Sequence, residues 1–138
     1  MKTSIGYQGQ MRWIAGEGPS RIVVDAGTQA GGLGEGHNPK ALVLQGLASC
    51  SGMDVATMLE RQQVPFSDLT IEVEAEQTGR NPKVFKTIHM TYRIRTAPEF
   101  ESKVRRAIAL SHDKFCGVSA MLVKTAAISH ELVLDAPA

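Results

Sequence analysis

The chain has 138 residues, enough for one domain whose core needs no staples. Hydrophobic residues make up 43% and charged residues 21%, an ordinary globular balance, and a net charge of +1 gives no global field to recruit nucleic acid or an anionic membrane. An aromatic content of 5%, with one Trp, also argues against a stacking surface for single strands.

The first residues, Met1 to Gly6, contain no apolar signal core, and no apolar run approaches the roughly 18–20 residues that span a bilayer. The expectation is a cytoplasmic protein with no membrane and no nucleic-acid partner. Short strands come first: Ile5 and Tyr7 alternate with polar residues, Met11 to Ala15 carries Trp13 and Ile14, and Arg21 to Ala26 contains Ile22-Val23-Val24. Gly16 to Ser20 reads as a turn. Gly27 to Asn38 holds five glycines in twelve residues and reads as a mobile surface loop. Its glycines match neither a dinucleotide-binding nor a P-loop pattern.

Asn38-Pro39 is a helix start, with Asn as cap and Pro at the first helical position. The segment that follows is apolar on too many sides for a surface helix and is read as central and buried. The small residues Ser49-Cys50-Ser51-Gly52 predict a kink or break within it, and Val64-Pro65 ends it. Leu69, Ile71, Val73 and Ala75 alternate with polar residues in a half-buried strand. Phe85 to Thr96 returns as a second, with Ile88, Met90, Tyr92 and Ile94 on its apolar face, and the two should pair as a hairpin. Ala97-Pro98 opens a helix with Val104, Ala107, Ile108 and Ser111 on one face. A short helix starts near Cys116, and Ala126 to Leu134 closes as a strand. The order implies an α+β domain spanning residues 1–138. Met53, Met58, Met90 and Met121 sit at core periods.

The only two cysteines, Cys50 and Cys116, stand 66 residues apart, each before a helix-like stretch. In a reducing compartment such thiols are catalytic, redox-sensing or simply buried. A helix start stabilises a thiolate, which the break predicts for Cys50. Asp54, four residues on, works against it, whereas His112 and Lys114 favour a thiolate at Cys116. A metal site built from Cys50, Cys116, His112 and one of His37, His89 or His130 lacks the local ligand pairs usual for zinc. No metal or cofactor is therefore expected.

The succession of an Asn-Pro-capped helix, Ala-Ser-Cys-Ser-Gly-Met-Asp-Val around Cys50, an acidic-alternating strand pair, and Ser-His-Asp-Lys-Phe-Cys-Gly-Val-Ser around Cys116 resembles the OsmC/Ohr family, the osmotically inducible and organic hydroperoxide resistance proteins. The likeness is closest to the OsmC-like branch. The resemblance implies an OsmC-like fold, with antiparallel sheets packed around a long central helix in an intertwined homodimer. It also implies a thiol peroxidase of oxidative or osmotic stress defence that acts on organic hydroperoxides and hydrogen peroxide. Cys50 would be the peroxidatic cysteine and Cys116 the resolving one, joined as a disulfide that an external dithiol reduces. The hydroperoxide-reducing members carry a Glu just after the Asn-Pro that helps to bind an active-site Arg. Here Lys40 and Ala41 follow, with Glu35 or Lys40 as substitutes, and Arg21 is the best match for the arginine, with Arg12 behind it. The missing Glu keeps two other functions open: a non-catalytic stress or small-molecule-binding protein, and a thiol redox switch.

Overall fold

In the computed structural model, which describes residues 1–138, the first three strands form an antiparallel sheet in the order β1–β2–β3. They are β1 (Ile5–Tyr7), β2 (Arg12–Ala15) and β3 (Ile22–Asp25), with Tyr7 opposite Trp13 and Trp13 opposite Val24. The chain divides into two compact units, residues 1–44 and 45–138.

The glycine-rich segment after β3 is not the mobile loop that its composition predicts. It wraps around one carboxylate. Asp25, 1% exposed, accepts the backbone N–H of Gly27 at 2.8 Å, of Leu33 at 3.1 Å and of Glu35 at 3.2 Å. Charge-assisted bonds of this kind fix a loop firmly. Two glycines are required sterically: a Cβ on Gly32 would run into the Asp25 carboxylate, and one on Gly36 would lie 2.7 Å from the Val23 carbonyl oxygen. The segment ends in a short bridge between His37 and β3.

Helix α1 (Pro39–Arg61) begins as its residues dictate, with the Asn38 side chain accepting the Lys40 N–H at 2.9 Å. It then runs unbroken for 23 residues, straight through the segment expected to interrupt it. The small residues there serve close packing instead: Ser51 is fully buried, and a Cβ on Gly52 would approach Ile71 to 3.1 Å. By length and composition α1 could cross a bilayer, a test that the core helix of a globular domain also passes. Its buried stripe, Leu47, Ser51, Val55 and Leu59, repeats every four residues and lies within the protein. The other faces stay open. Met53 is 68% exposed, as is Met121 at 64%, so neither fills the core as its spacing suggests.

The second unit holds a three-stranded sheet, β4 (Ser67–Gln77), β5 (Phe85–Arg95) and β6 (Ala127–Asp135), with β5 at its centre. β4 pairs antiparallel with β5 as a hairpin, whereas β6 runs parallel to β5. This sheet is therefore mixed rather than antiparallel, because helices occupy the connection between β5 and β6 and return the chain to the same end. The alternation in β5 is exact in its effect: Ile88, Met90, Tyr92 and Ile94 are all fully buried. Between β5 and β6 come α2 (Glu101–Leu110), a π-turn at Ser111–Phe115, and α3 (Gly117–Leu122). Helix α2 buries Val104, Ala107 and Ile108, the apolar face of its 3.6-residue period.

Candidate functional site

Both cysteines lie in the second unit. Both are free thiols, Cys50 half-buried on α1 and Cys116 buried. The two thiols influence one another: Cys50 raises the pKa of Cys116 by favouring its protonated form. Burial is the larger cause, and together they push the Cys116 thiol up to about 11. The opposing influence is local: Cys116 caps α3, and its sulfur accepts the Ser119 N–H at 3.3 Å.

Two electrostatic expectations therefore change. Cys50 lies in mid-helix, so no free helix N-terminus faces it. At Cys116 the helix start is present, but desolvation outweighs it. The cations assigned to help do not act there. Lys114 points to solvent, and burial followed by the neighbouring His130 holds His112 below its ordinary pKa against the pull of Asp113. The two imidazoles stack with centroids 4.7 Å apart and planes 6° from parallel.

Below the thiols runs a set of polar side chains that sequence reasoning did not assemble. Ser51, next to Cys50, lies 2.6 Å from the Tyr92 hydroxyl and 2.9 Å from that of Ser111. Ser111 donates to Asp54 at 2.9 Å. Tyr92 also meets His112 Nε2 at 2.9 Å, and His112 Nδ1 meets the Ser119 hydroxyl at 3.1 Å. Both nitrogens of His112 are thus engaged by hydroxyls. Burial pushes the Tyr92 phenol up to about 12, so it stays protonated at neutral pH. A signal for these residues existed: Tyr92 and Ser111 each put a polar atom on an otherwise apolar face, and buried polar atoms demand partners.

The remaining predicted residues lie in the first unit. Arg21 is exposed at the start of β3 and bonds through its backbone to Gly18 at 3.3 Å. Of the two candidate arginines, Arg12 is the one for which an ion pair is seen, its Nε standing 3.5 Å from Glu35. That Nε is buried and forms no aligned hydrogen bond. Across the chain, no three His, Cys, Asp or Glu side chains converge as a metal site.

The family model described as OsmC-like protein matches residues 32–131, including both cysteines and the buried polar set. The chain belongs to the OsmC-like family. Protein YhfA of Escherichia coli K12 is 28% identical to this OsmC-like protein over 93 residues, 67% of this chain and 69% of YhfA. The fold is likewise that of solved family structures. The OsmC-like protein from Mycoplasma pneumoniae superposes with a TM-score of 0.81 at 18% identity, covering 97% of this chain and 96% of that one. The organic hydroperoxide resistance protein OhrB of Bacillus subtilis gives 0.66 at 20% identity, covering 96% and 98%.

Proposed function

We propose that this OsmC-like protein is a thiol peroxidase of the cytoplasm that reduces organic hydroperoxides, and hydrogen peroxide less well, in oxidative stress defence. The observation that carries the reading is a pair of free thiols within one unit, near enough that Cys50 raises the pKa of Cys116. The family supports hydroperoxide resistance as the broad role, since OhrB of Bacillus subtilis bears that activity in its name.

In the proposed cycle the Cys50 thiolate attacks the peroxide O–O bond. Its sulfur takes the distal oxygen to become a sulfenic acid, and the alkoxide leaves as the alcohol after gaining a proton. The Cys116 sulfur then attacks the Cys50 sulfur and loses its proton. Hydroxide departs as water, and a disulfide remains. An external dithiol restores both thiols and is itself oxidised to its disulfide. Two thiols that already influence one another are favourably placed for the second step, which needs their Cα atoms within about 7 Å. Arg12 and Arg21 both stand for the arginine that the family resemblance asks for, and Arg12 is the one with a carboxylate beside it.

We further propose a homodimer. In the second unit Met53, Phe115 and Met121 are 68%, 60% and 64% exposed, large apolar side chains that a second copy could cover.

The test is hydroperoxide consumption with a lipoyl-type dithiol. Turnover should vanish in Cys50→Ser, and Cys116→Ser should accumulate a trappable sulfenic acid. A wild-type protein that consumes no hydroperoxide ends the peroxidase reading. The high Cys116 pKa and the mid-helix position of Cys50 favour a second reading, a slow redox switch without turnover. Its mark is stoichiometric disulfide formation that changes the oligomeric state.

A further inference from the structure

Six side chains of the second unit form one unbroken hydrogen-bonded line: Asp54, Ser111, Ser51, Tyr92, His112 and Ser119. Its protons can run only one way. The Asp54 carboxylate has no hydrogen to give, so Ser111 donates to it at 2.9 Å. Ser111 has then used its one hydroxyl hydrogen and accepts from Ser51, which for the same reason accepts from Tyr92. Tyr92 has one other acceptor within reach, the Met90 sulfur, a weak one at 3.9 Å. With its hydrogen on Ser51, Tyr92 accepts from His112, whose Nε2 therefore carries the hydrogen. The neutral ring then leaves Nδ1 to accept from the Ser119 hydroxyl at 3.1 Å.

This line joins the segments that carry the two thiols. Ser51 follows Cys50 on α1. Ser111 and His112 open the π-turn, and the Ser111 carbonyl accepts the Cys116 N–H at 2.8 Å. Ser119 gives its own N–H to the Cys116 sulfur. Tyr92, rooted in the central strand β5, touches both sides, Ser51 on one and His112 on the other.

We infer that Tyr92 is a positioning residue for the thiol pair, its buried hydroxyl fixing the helix segment of Cys50 against the turn of Cys116 so that the two sulfurs are held for reaction with each other. The inference rests on the reading that the pair cycles between dithiol and disulfide, whatever oxidant drives the cycle.

The test equilibrates the full chain with glutathione buffers. One glutathione disulfide is reduced to two glutathione molecules, taking up the two electrons and two protons that the Cys50–Cys116 pair loses on closing. The equilibrium constant measures how well the fold holds the sulfurs together. Loss of one buried hydrogen bond should shift it about tenfold, so Tyr92→Phe is expected to fall by about that factor and Ser51→Ala in the same direction. Ile94→Val, a core change on the same strand that leaves the line intact, should stay within about twofold of wild type. Nitrogen-15 NMR should find the His112 hydrogen on Nε2. Values within twofold of wild type for Tyr92→Phe and Ser51→Ala overturn the inference, as does a His112 hydrogen on Nδ1. If Tyr92→Phe does not fold, Ser51→Ala decides. A wild-type pair that never closes in these buffers overturns it too. Normal closure without hydroperoxide consumption leaves the inference standing and removes only the peroxidase reading.

Discussion

The hydroxyl of Tyr92 lies 2.6 Å from that of Ser51, and both side chains are sealed from solvent. One comes from the middle of a strand and the other from the middle of a helix, 41 residues apart. Neither side chain is exposed to water, and without Ser51 the Tyr92 hydrogen is left with only the weak Met90 sulfur at 3.9 Å.

Ser51→Ala is therefore expected to destabilise the protein by about 1–3 kcal/mol, the penalty for leaving a buried donor unsatisfied. Urea unfolding at pH 7 measures it. A loss below about 0.5 kcal/mol would mean that the cavity admits water or that Tyr92 finds another acceptor.

Cys116 should be slow towards alkylating reagents. With its pKa pushed from 9.0 up to about 11, its thiolate fraction at pH 8 falls about a hundredfold below that of an ordinary thiol. Iodoacetamide labelling followed by mass spectrometry should show that lag. Cys50→Ala, which removes a neighbour that raises the Cys116 pKa, should speed Cys116 labelling. Labelling at the rate of a free thiol contradicts the buried state.

Asp25 makes the first unit sensitive to acid. The Gly27 N–H, with those of Glu35 and Leu33, holds its carboxyl below the ordinary 3.8 despite the opposing effect of burial. Its contribution to stability is therefore complete above the unfolded value of 3.8 and is lost as pH falls through the lower folded value. Asp25→Asn turns an N–H donor towards the same backbone donors and should be less stable than wild type at pH 7. The gap between the two should narrow as pH falls below 3.8, and a gap independent of pH refutes the account.

The stacked His112 and His130 give a second pH dependence with a different midpoint. Both fold with pKa values below the ordinary 6.5, burial being the larger cause for each. As pH falls past 6.5 the unfolded chain takes up protons that the native state refuses, so stability declines from there downwards. His130→Ala removes a neighbour that lowers the His112 pKa, and NMR titration should show His112 moving up. A downward move would mean that the stack does not disfavour the charged ring.

How much of this was legible in the sequence depends on the range of the interaction. The β5 alternation and the Asn38-Pro39 cap are local, and both appear where the residues place them. Helix α1 shows the limit of local reading. Ser49 to Gly52 resemble a break by propensity, yet tertiary packing against Tyr92 and Ile71 is what requires small residues there. The glycine-rich loop misleads in the same way, since its order comes from a carboxylate that precedes it in the chain. The contacts Ser51–Tyr92, Ser51–Ser111 and Asp54–Ser111 join residues 41, 60 and 57 positions apart, and no periodicity records such pairs.

The unbroken course of α1 also decides which part of the molecule yields. A sulfur carried in the middle of a 23-residue helix is anchored on both sides by continuous backbone bonding and cannot swing without unwinding it. In the proposed disulfide step, reaching a covalent S–S length of about 2.05 Å would therefore fall to the opposite partner. Cys116 sits at the junction of a wide five-residue π-turn and a six-residue helix, with no long run of continuous helix on either side of it. In that step α1 would be the anvil and the turn the hammer.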